Sequence, residues 1–83
     1  MNFMDLTMRE VDILLKKDVL TFQYKNWKGD VGIRRVQPMR ISYTTSLYHA
    51  EHGVTLFLEA IDLEKNQHRD FLCKDIDILL EEQ

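Results

Sequence analysis

Residues 19–41 read VLTFQYKNWKGDVGIRRVQPMRI, and this stretch decides the fold because it holds two extended segments joined by a turn. Apolar and polar side chains alternate over residues 19–24, which is the period of a β-strand. Residues 26–30, NWKGD, supply Asn and Gly where a turn needs positive φ, and their number favours a four- or five-residue loop. The stretch therefore predicts a β-hairpin.

The return strand of this hairpin changes phase along its length. Ile33 and Val36 fall on opposite parities, so we expect a β-bulge at Arg34-Arg35. Pro38 has no amide proton to give to a sheet, which predicts that the strand lies at an edge or breaks there.

A helix is expected before the hairpin. Thr7 and Glu10 have the spacing of a capping box, and apolar residues at helical spacing follow them. We expect this helix over residues 8–17, packed against the rest of the chain because it is too short to be stable alone.

Two strands and one ambiguous segment are expected after the hairpin. Residues 54–62 are apolar on both faces and predict the central strand, and residues 67–73 predict another strand. Residues 75–82 fit a helical period and a strand period, and we expect a short C-terminal helix there. The predicted core consists of Phe22, Ile33, Leu56, Leu58 and Phe71.

Length and composition favour one small mostly-β domain with some helix. The chain has 83 residues, of which 45% are hydrophobic and 30% charged, as in globular proteins. Cys73 has no partner for an internal disulfide, so we expect a reducing compartment, the cytoplasm. No apolar run reaches the roughly 20 residues of a membrane span, and no signal-peptide pattern opens the sequence, so no membrane partner is expected.

Charge is distributed unevenly along the chain. The net charge is −3, but residues 19–50 carry five basic residues and one acid, while residues from 51 onward carry nine acids and three basic residues. Part of the surface is therefore able to attract an anion. The alternative is that these oppositely charged segments pair with each other across the fold.

Several short motifs occur in a fixed order over roughly residues 20–76, and together they resemble the WYL domain, in particular the small stand-alone bacterial and phage proteins of that kind. The motifs are Phe22-x-Tyr24-x-Asn26, Gly29, Arg34-Arg35-Val36-x-Pro38, Tyr48-His49, Leu58-Glu59-Ala60, Arg69-x-Phe71 and Asp75-Ile76.

The resemblance implies a small SH3-like or Sm-like barrel over about residues 19–73. It also implies a regulatory module that binds nucleotides or nucleic-acid fragments. The name-giving Trp-Tyr-Leu is Leu-Phe-Leu at 56–58 in this chain. The ligand-binding positions that the resemblance carries over are Tyr24, Arg34, Arg35, His49 and Arg69.

The arginine pair has two interpretations from the residues themselves. Arg34 and Arg35, with Tyr24 and Arg40 near, have the chemistry to grip a phosphate or carboxylate, because guanidinium groups bind such anions bidentately. Alternatively, they pair with Asp62, Asp70 or Glu59 on neighbouring strands. Trp27 is either a stacking or partner-binding residue or a side chain that folds back over the end of the barrel.

Metal binding and catalysis are not expected. Residues of metal-binding type occur, but no C-x-x-C pair accompanies them, and we find no nucleophile–base pair or phosphate-binding glycine loop. We therefore expect no metal, no cofactor and no catalytic residue. The metal-capable residues are His49, Glu51, His52, His68 and Cys73.

The sequence thus predicts a non-enzymatic binding or regulatory module that recognises a nucleotide or a nucleic-acid fragment. The alternative is a protein-interaction or assembly factor, phage-encoded or bacterial, with a protein partner or a second copy of itself. That alternative would use Trp27, an edge at Pro38 and the terminal helices.

Overall fold

The computed structural model describes residues 1–45 and 53–79, and within them the fold is mostly β with one α-helix. The five strands form one antiparallel sheet in the order β4-β3-β2-β1-β5, which is open and does not close into a barrel. Helix α1 spans Met8–Leu15, β1 Leu20–Lys25, β2 Val31–Thr44, β3 Thr55–Asp62, β4 Gln67–Leu72 and β5 Ile76–Ile78.

Helix α1 confirms the prediction at its start. The Thr7 hydroxyl accepts a hydrogen bond from the Glu10 amide at 3.1 Å, and the Glu10 carboxylate accepts one from the Thr7 amide at 2.8 Å. The helix ends at Leu15, two residues earlier than expected, and packs its half-buried apolar side chains against the core. Across the described ranges, no helix combines the length and apolar character that a membrane crossing demands.

The β1–β2 hairpin confirms the central prediction. Its strands pair from Leu20 opposite Val36 to Lys25 opposite Val31, and a five-residue loop joins them. The Asn26 side chain accepts hydrogen bonds from the amides of Lys28 and Asp30, both at 2.9 Å. Gly29 has φ of 89°, a conformation that strains any residue with a Cβ.

The bulge in β2 lies elsewhere than predicted. Pairing with β1 is regular through Arg34-Arg35, and the register shift falls between Pro38 and Arg40 in the pairing with β3. The strand is neither broken at Pro38 nor at an edge, because β2 is the middle strand of the sheet. Ile33, expected in the core, is 51% exposed since it faces away from the helix-covered side.

Strand β3 is one position from the edge of the sheet, so the expectation that it is central was wrong. Its two-sided apolar character is nevertheless explained by burial on both faces. Leu58 and Ala60 are fully buried on the core face, and Phe57 is 1% exposed on the other.

The expected C-terminal helix is wrong over its described part. Cys73–Asp75 form a short 3-10 helix, and β5 then pairs antiparallel with β1, with Ile76 opposite Tyr24. Ile76 and Ile78 have the two-residue spacing of one face of a strand. Their strand pairs with the outer backbone groups of β1, which would otherwise form an unpaired edge of the sheet. Residues 80–82 of the prediction lie outside the described residues.

The core lies on one face of the sheet under α1. Its aromatic centre is Phe71, whose ring centroid is 5.2 Å from that of Phe22 and 5.0 Å from that of Tyr24, both edge to face. Phe22, Leu58 and Phe71 are buried as predicted, and Leu56 packs half-buried against the cluster. The buried members are Phe3, Leu20, Phe22, Tyr24, Val36, Leu58, Ala60, Phe71, Cys73 and Ile76.

Candidate ligand-binding cleft

A cleft of about 680 Å³ opens at the turn end of the β1–β2 hairpin, between the hairpin and β4. This volume is within the range of small-molecule sites. Two buried aromatic residues, Tyr24 and Phe71, form its apolar lining, and the remaining lining residues are polar or charged apart from Trp27.

Two arginines enter the cleft because of strand alternation. Arg34 lies opposite Phe22 in the sheet, and Arg69 lies opposite Ala60, so both side chains share the face of the apolar core. The register of three strands therefore brings together two cations that are 35 positions apart in the sequence.

The guanidinium groups of these arginines are incompletely paired. The Nε atoms of Arg34 and Arg69 are buried and have no hydrogen-bond partner among the described residues. Arg69 Nε is 3.7 Å from Asp62 Oδ2, a distance that gives electrostatic attraction but no hydrogen bond. Arg34 makes no ion pair with any carboxylate in the described ranges.

Further charges around the cleft keep it positive. Lys28 and Lys65 line it with the two arginines, against the two carboxylates Asp30 and Asp70. Four cations against two acids leave a local charge of +2 while the whole chain is at −3. The cleft is therefore an electropositive region on an acidic protein, which draws anions to it.

Tyr24 is a structural residue as well as a lining residue. Its hydroxyl accepts a hydrogen bond from the amide of Leu72 at 2.9 Å, and its side chain is 5% exposed. Burial raises the pKa of the Tyr24 phenol above its usual value, although the Leu72 hydrogen bond opposes this shift. The phenol thus keeps its proton and remains able to donate it to a ligand oxygen.

Trp27 stands at the tip of the hairpin and does not fold back over the core. Its side chain is 71% exposed, and it lines the cleft. The ammonium of Lys28 lies 5.3 Å from the centroid of its ring, a cation–π distance. An exposed aromatic face with a cation beside it is suited to stacking against a planar, negatively charged molecule.

The other predicted site residues that the structure describes, Arg35 and Arg40, are not in the cleft. Arg35 pairs with Thr21 in the sheet and points to the opposite face from Arg34. Arg40 is also outside the cleft, with its Nη2 3.0 Å from Glu59 Oε1. His49 lies outside the described residues. The sequence did not indicate Lys65 as a site residue. It lines the cleft only because the β3–β4 turn lies beside the hairpin in the fold.

The face of the sheet opposite the core carries a polar cluster around Glu59, which borders the cleft through His68 and Asp70. Ser42 donates a hydrogen bond from its hydroxyl to Glu59 Oε2, and Arg40 contacts Oε1. The Ser42 hydrogen bond, followed by the charge of Arg40, holds the pKa of the Glu59 carboxyl below its usual value. His68 Nε2 lies 3.4 Å from the same Oε1 and 3.8 Å from Asp70 Oδ1.

Cys73 is neither a ligand of this cluster nor reactive. It is completely buried in the core, and this burial raises the pKa of its thiol to about 12. At neutral pH the group is a thiol packed as a small apolar side chain, since only a thiolate is a nucleophile or a metal ligand.

Comparison with known proteins gives one partial similarity. No family model matches the chain, and no solved structure matches it. The chain is 38% identical over 78 residues to phosphoribosylaminoimidazole-succinocarboxamide synthase of Chlorobium phaeobacteroides (strain BS1). The match covers 94% of this chain but 29% of that protein, so the chain spans less than a third of the relative's length.

Proposed function

We propose that this chain is a non-enzymatic binding module that holds a nucleotide or the end of a nucleic acid in the cleft. The observation that carries the proposal is the pair of buried Nε atoms of Arg34 and Arg69, which lack hydrogen-bond partners among the described residues. Buried donors are almost always satisfied in folded proteins. A phosphate satisfies guanidinium donors with two parallel, charge-assisted hydrogen bonds.

The aromatic residues of the cleft favour a ligand with a base as well as a phosphate. Trp27 offers an exposed ring face, and stacking of a base on such a ring contributes about 1–3 kcal/mol. Lys28 and Lys65 add positive charge beside the arginines. A nucleotide combines the planar ring and the anion that these groups require.

The proposal includes kinship with the WYL domain and an SH3-like arrangement of the strands. Support for this arrangement comes from the Tyr24–Leu72 hydrogen bond, which joins β1 to β4 although β2 and β3 separate them in the sheet. The name of the partial relative includes the term phosphoribosyl, which denotes a sugar phosphate and therefore an anion of the proposed class. We place the module in the cytoplasm, where Cys73 stays reduced.

Trp27 provides the test, because it is the only tryptophan of the chain and lines the cleft. Its fluorescence is followed while AMP, ADP or a short oligothymidylate is added at low salt. Arg34→Gln is expected to weaken binding at least about tenfold, since a hydrogen bond to a charged group contributes about 1.5–3 kcal/mol. Arg69→Gln should act in the same direction.

Arg35→Gln is the matched control, because it removes the same charge one residue away on the opposite face. We expect it to change affinity about twofold or less and to leave the salt dependence nearly unchanged, whereas Arg34→Gln flattens that dependence. Equal effects of the two substitutions, or no binding of any of these probes, would contradict the proposal.

A second candidate function is protein recognition through Trp27, supported by the 71% exposure of this large side chain. Two other features expected for that role are not available in the described chain, because Pro38 lies in the middle strand and β5 replaces the start of the C-terminal helix, whereas the N-terminal helix α1 is present. Sedimentation of the wild type and of Trp27→Ala tests it: an oligomer that the substitution dissociates would support it.

A further inference from the structure

One imidazole and two carboxylates converge on the face of the sheet opposite the core. Glu59 and Asp70 are direct partners in the β3–β4 pairing, and His68 is two residues before Asp70 on the same face. Their ligand atoms all lie within 4.8 Å of one another. His68 and Asp70 flank Arg69, whose side chain points to the other face.

Two of the three distances between the ligand atoms are close to those in a tetrahedral metal site. With ligand bonds of about 2.1 Å, two ligand atoms of a tetrahedral Zn²⁺ are about 3.4 Å apart. His68 Nε2 lies 3.4 Å from Glu59 Oε1 and 3.8 Å from Asp70 Oδ1. The third distance, between the Glu59 and Asp70 oxygens, is at most 4.8 Å, so the Asp70 side chain, which is 41% exposed, has to rotate toward Glu59 to complete the set.

The sheet places two like charges in direct opposition here. Carboxylates directly opposite each other on neighbouring strands destabilise a sheet unless a cation lies between them. Arg40 contacts Glu59, but within the described chain Asp70 has only the imidazole of His68 beside it. A divalent cation bound by all three groups would balance the negative charge of Asp70 as well as that of Glu59.

Glu59 is also held in the way that a metal ligand is held. Its Oε2 accepts the hydroxyl of Ser42, and Arg40 Nη2 lies 3.0 Å from Oε1. Such outer hydrogen bonds fix the direction of a ligating carboxylate. The side chain of Arg40 is 63% exposed, so it has room to retain its contact with Glu59 while a metal occupies the opposite side of the oxygen.

We propose that Glu59, His68 and Asp70 form a binding site for a divalent transition-metal ion, Zn²⁺ in the first instance, with a fourth position open to water or an external ligand. The imidazole nitrogen selects for such a metal over Mg²⁺ and Ca²⁺, which prefer oxygen ligands. This site borders the cleft, since His68 and Asp70 also line it, but it does not use Arg34 or Arg69, on which the nucleotide proposal rests. Zn²⁺ binding and nucleotide binding are therefore tested separately.

Calorimetric titration of EDTA-treated, dialysed protein with ZnCl₂ tests the site, with MgCl₂ as the comparison. We expect one equivalent of Zn²⁺ to bind, and no binding of Mg²⁺ at the same concentrations. His68→Gln and Asp70→Asn are expected to weaken binding by more than the roughly 10- to 100-fold that loss of an outer hydrogen bond costs. Ser42→Ala should fall within that smaller range.

The controls separate this site from the other histidines of the sequence. His49→Gln and His52→Gln together should leave Zn²⁺ binding unchanged, and so should Glu64→Gln, which removes an exposed acid of the β3–β4 turn without removing a ligand. Thermal unfolding in EDTA checks that each variant is folded. The proposal is overturned if the wild type binds no Zn²⁺, or if the His49/His52 variant loses binding while His68→Gln retains it.

Discussion

The hydroxyl of Tyr24 accepts a hydrogen bond from the backbone amide of Leu72, 48 residues away in the chain, at 2.9 Å. Tyr24 is in β1 and Leu72 ends β4, so the contact joins two strands that are not neighbours in the sheet. The sheet is therefore coiled strongly enough for its β4 edge to reach β1. A phenol makes the connection where a closed barrel would have a ladder of backbone hydrogen bonds.

Tyr24→Phe removes the acceptor for the Leu72 amide and leaves a buried donor unsatisfied. We expect the free energy of unfolding to fall by about 1–3 kcal/mol, measured by urea denaturation. Tyr43→Phe is the control, because Tyr43 is 73% exposed and should lose almost nothing. Equal stability of Tyr24→Phe and wild type would show that the hydrogen bond does not hold the two strands together.

Leu58→Ala creates a cavity at a fully buried position of β3. We expect it to lower the free energy of unfolding by about 2–5 kcal/mol. Ile33→Ala removes a similar side chain that is 51% exposed, so its loss should be much smaller. If both substitutions cost the same, Ile33 would belong to the core and the assignment of faces in β2 would be wrong.

Cys73 should resist thiol reagents in the folded protein. Burial raises the pKa of its thiol to about 12, so almost no thiolate is present at neutral or mildly alkaline pH. We expect no reaction with a chromogenic disulfide reagent in native buffer and complete reaction in urea. Rapid modification without denaturant would mean that the 3-10 helix at Cys73–Asp75 opens easily.

The Glu59 carboxyl should make stability depend on pH in the acidic range. Its pKa in the folded state is below the ordinary 4.5, chiefly because of the Ser42 hydrogen bond, so its contribution is present above that value. The contribution is lost as the pH falls through the lowered pKa. Glu59→Gln should therefore be less stable than wild type at neutral pH, with the difference shrinking on acidification.

Urea denaturation in EDTA between neutral pH and about pH 3 measures this difference, because EDTA removes any bound metal from the comparison. Glu64→Gln serves as the control, since Glu64 is exposed in the β3–β4 turn and makes no ion pair in the described ranges. A constant gap between Glu59→Gln and wild type across the range would contradict the pH effect.

Local signals were sufficient for the elements that depend on nearby residues. The capping box of Thr7 and Glu10 and the turn at Asn26 and Gly29 involve contacts within a few positions, and both appear as expected. The segment after Asp75 was not predictable in this way, because its residues fit two periods. Pairing of Ile76 with Tyr24, far away in the sequence, makes it a strand.

The candidate site was predicted only in part, because the side chains that meet in it are brought together by strands that are distant in the sequence. Tyr24, Arg34 and Arg69 meet in the cleft, but adjacent basic residues in a strand face opposite sides, so Arg35 was wrongly grouped with Arg34. The phase change in β2 was visible in the sequence, but the bulge was placed wrongly because Ile33, near the turn of the hairpin, is exposed and does not mark the core face. Exposure of Ile33 there follows from tertiary coverage by α1, which no local pattern encodes.

The bulge at Met39 gives β2 one residue more than its pairing with β3 requires. Before it, even-numbered residues such as Arg34 and Val36 face the core, and after it the half-buried Ile41 does. A deletion of Met39 alone would remove this extra residue and leave Arg40 opposite Glu59 and Ile41 opposite Leu58, whereas a single deletion elsewhere in the strand turns the side chains on one side of it to the other face. Single-codon deletions should therefore be tolerated better at Met39 than at the other positions of this strand.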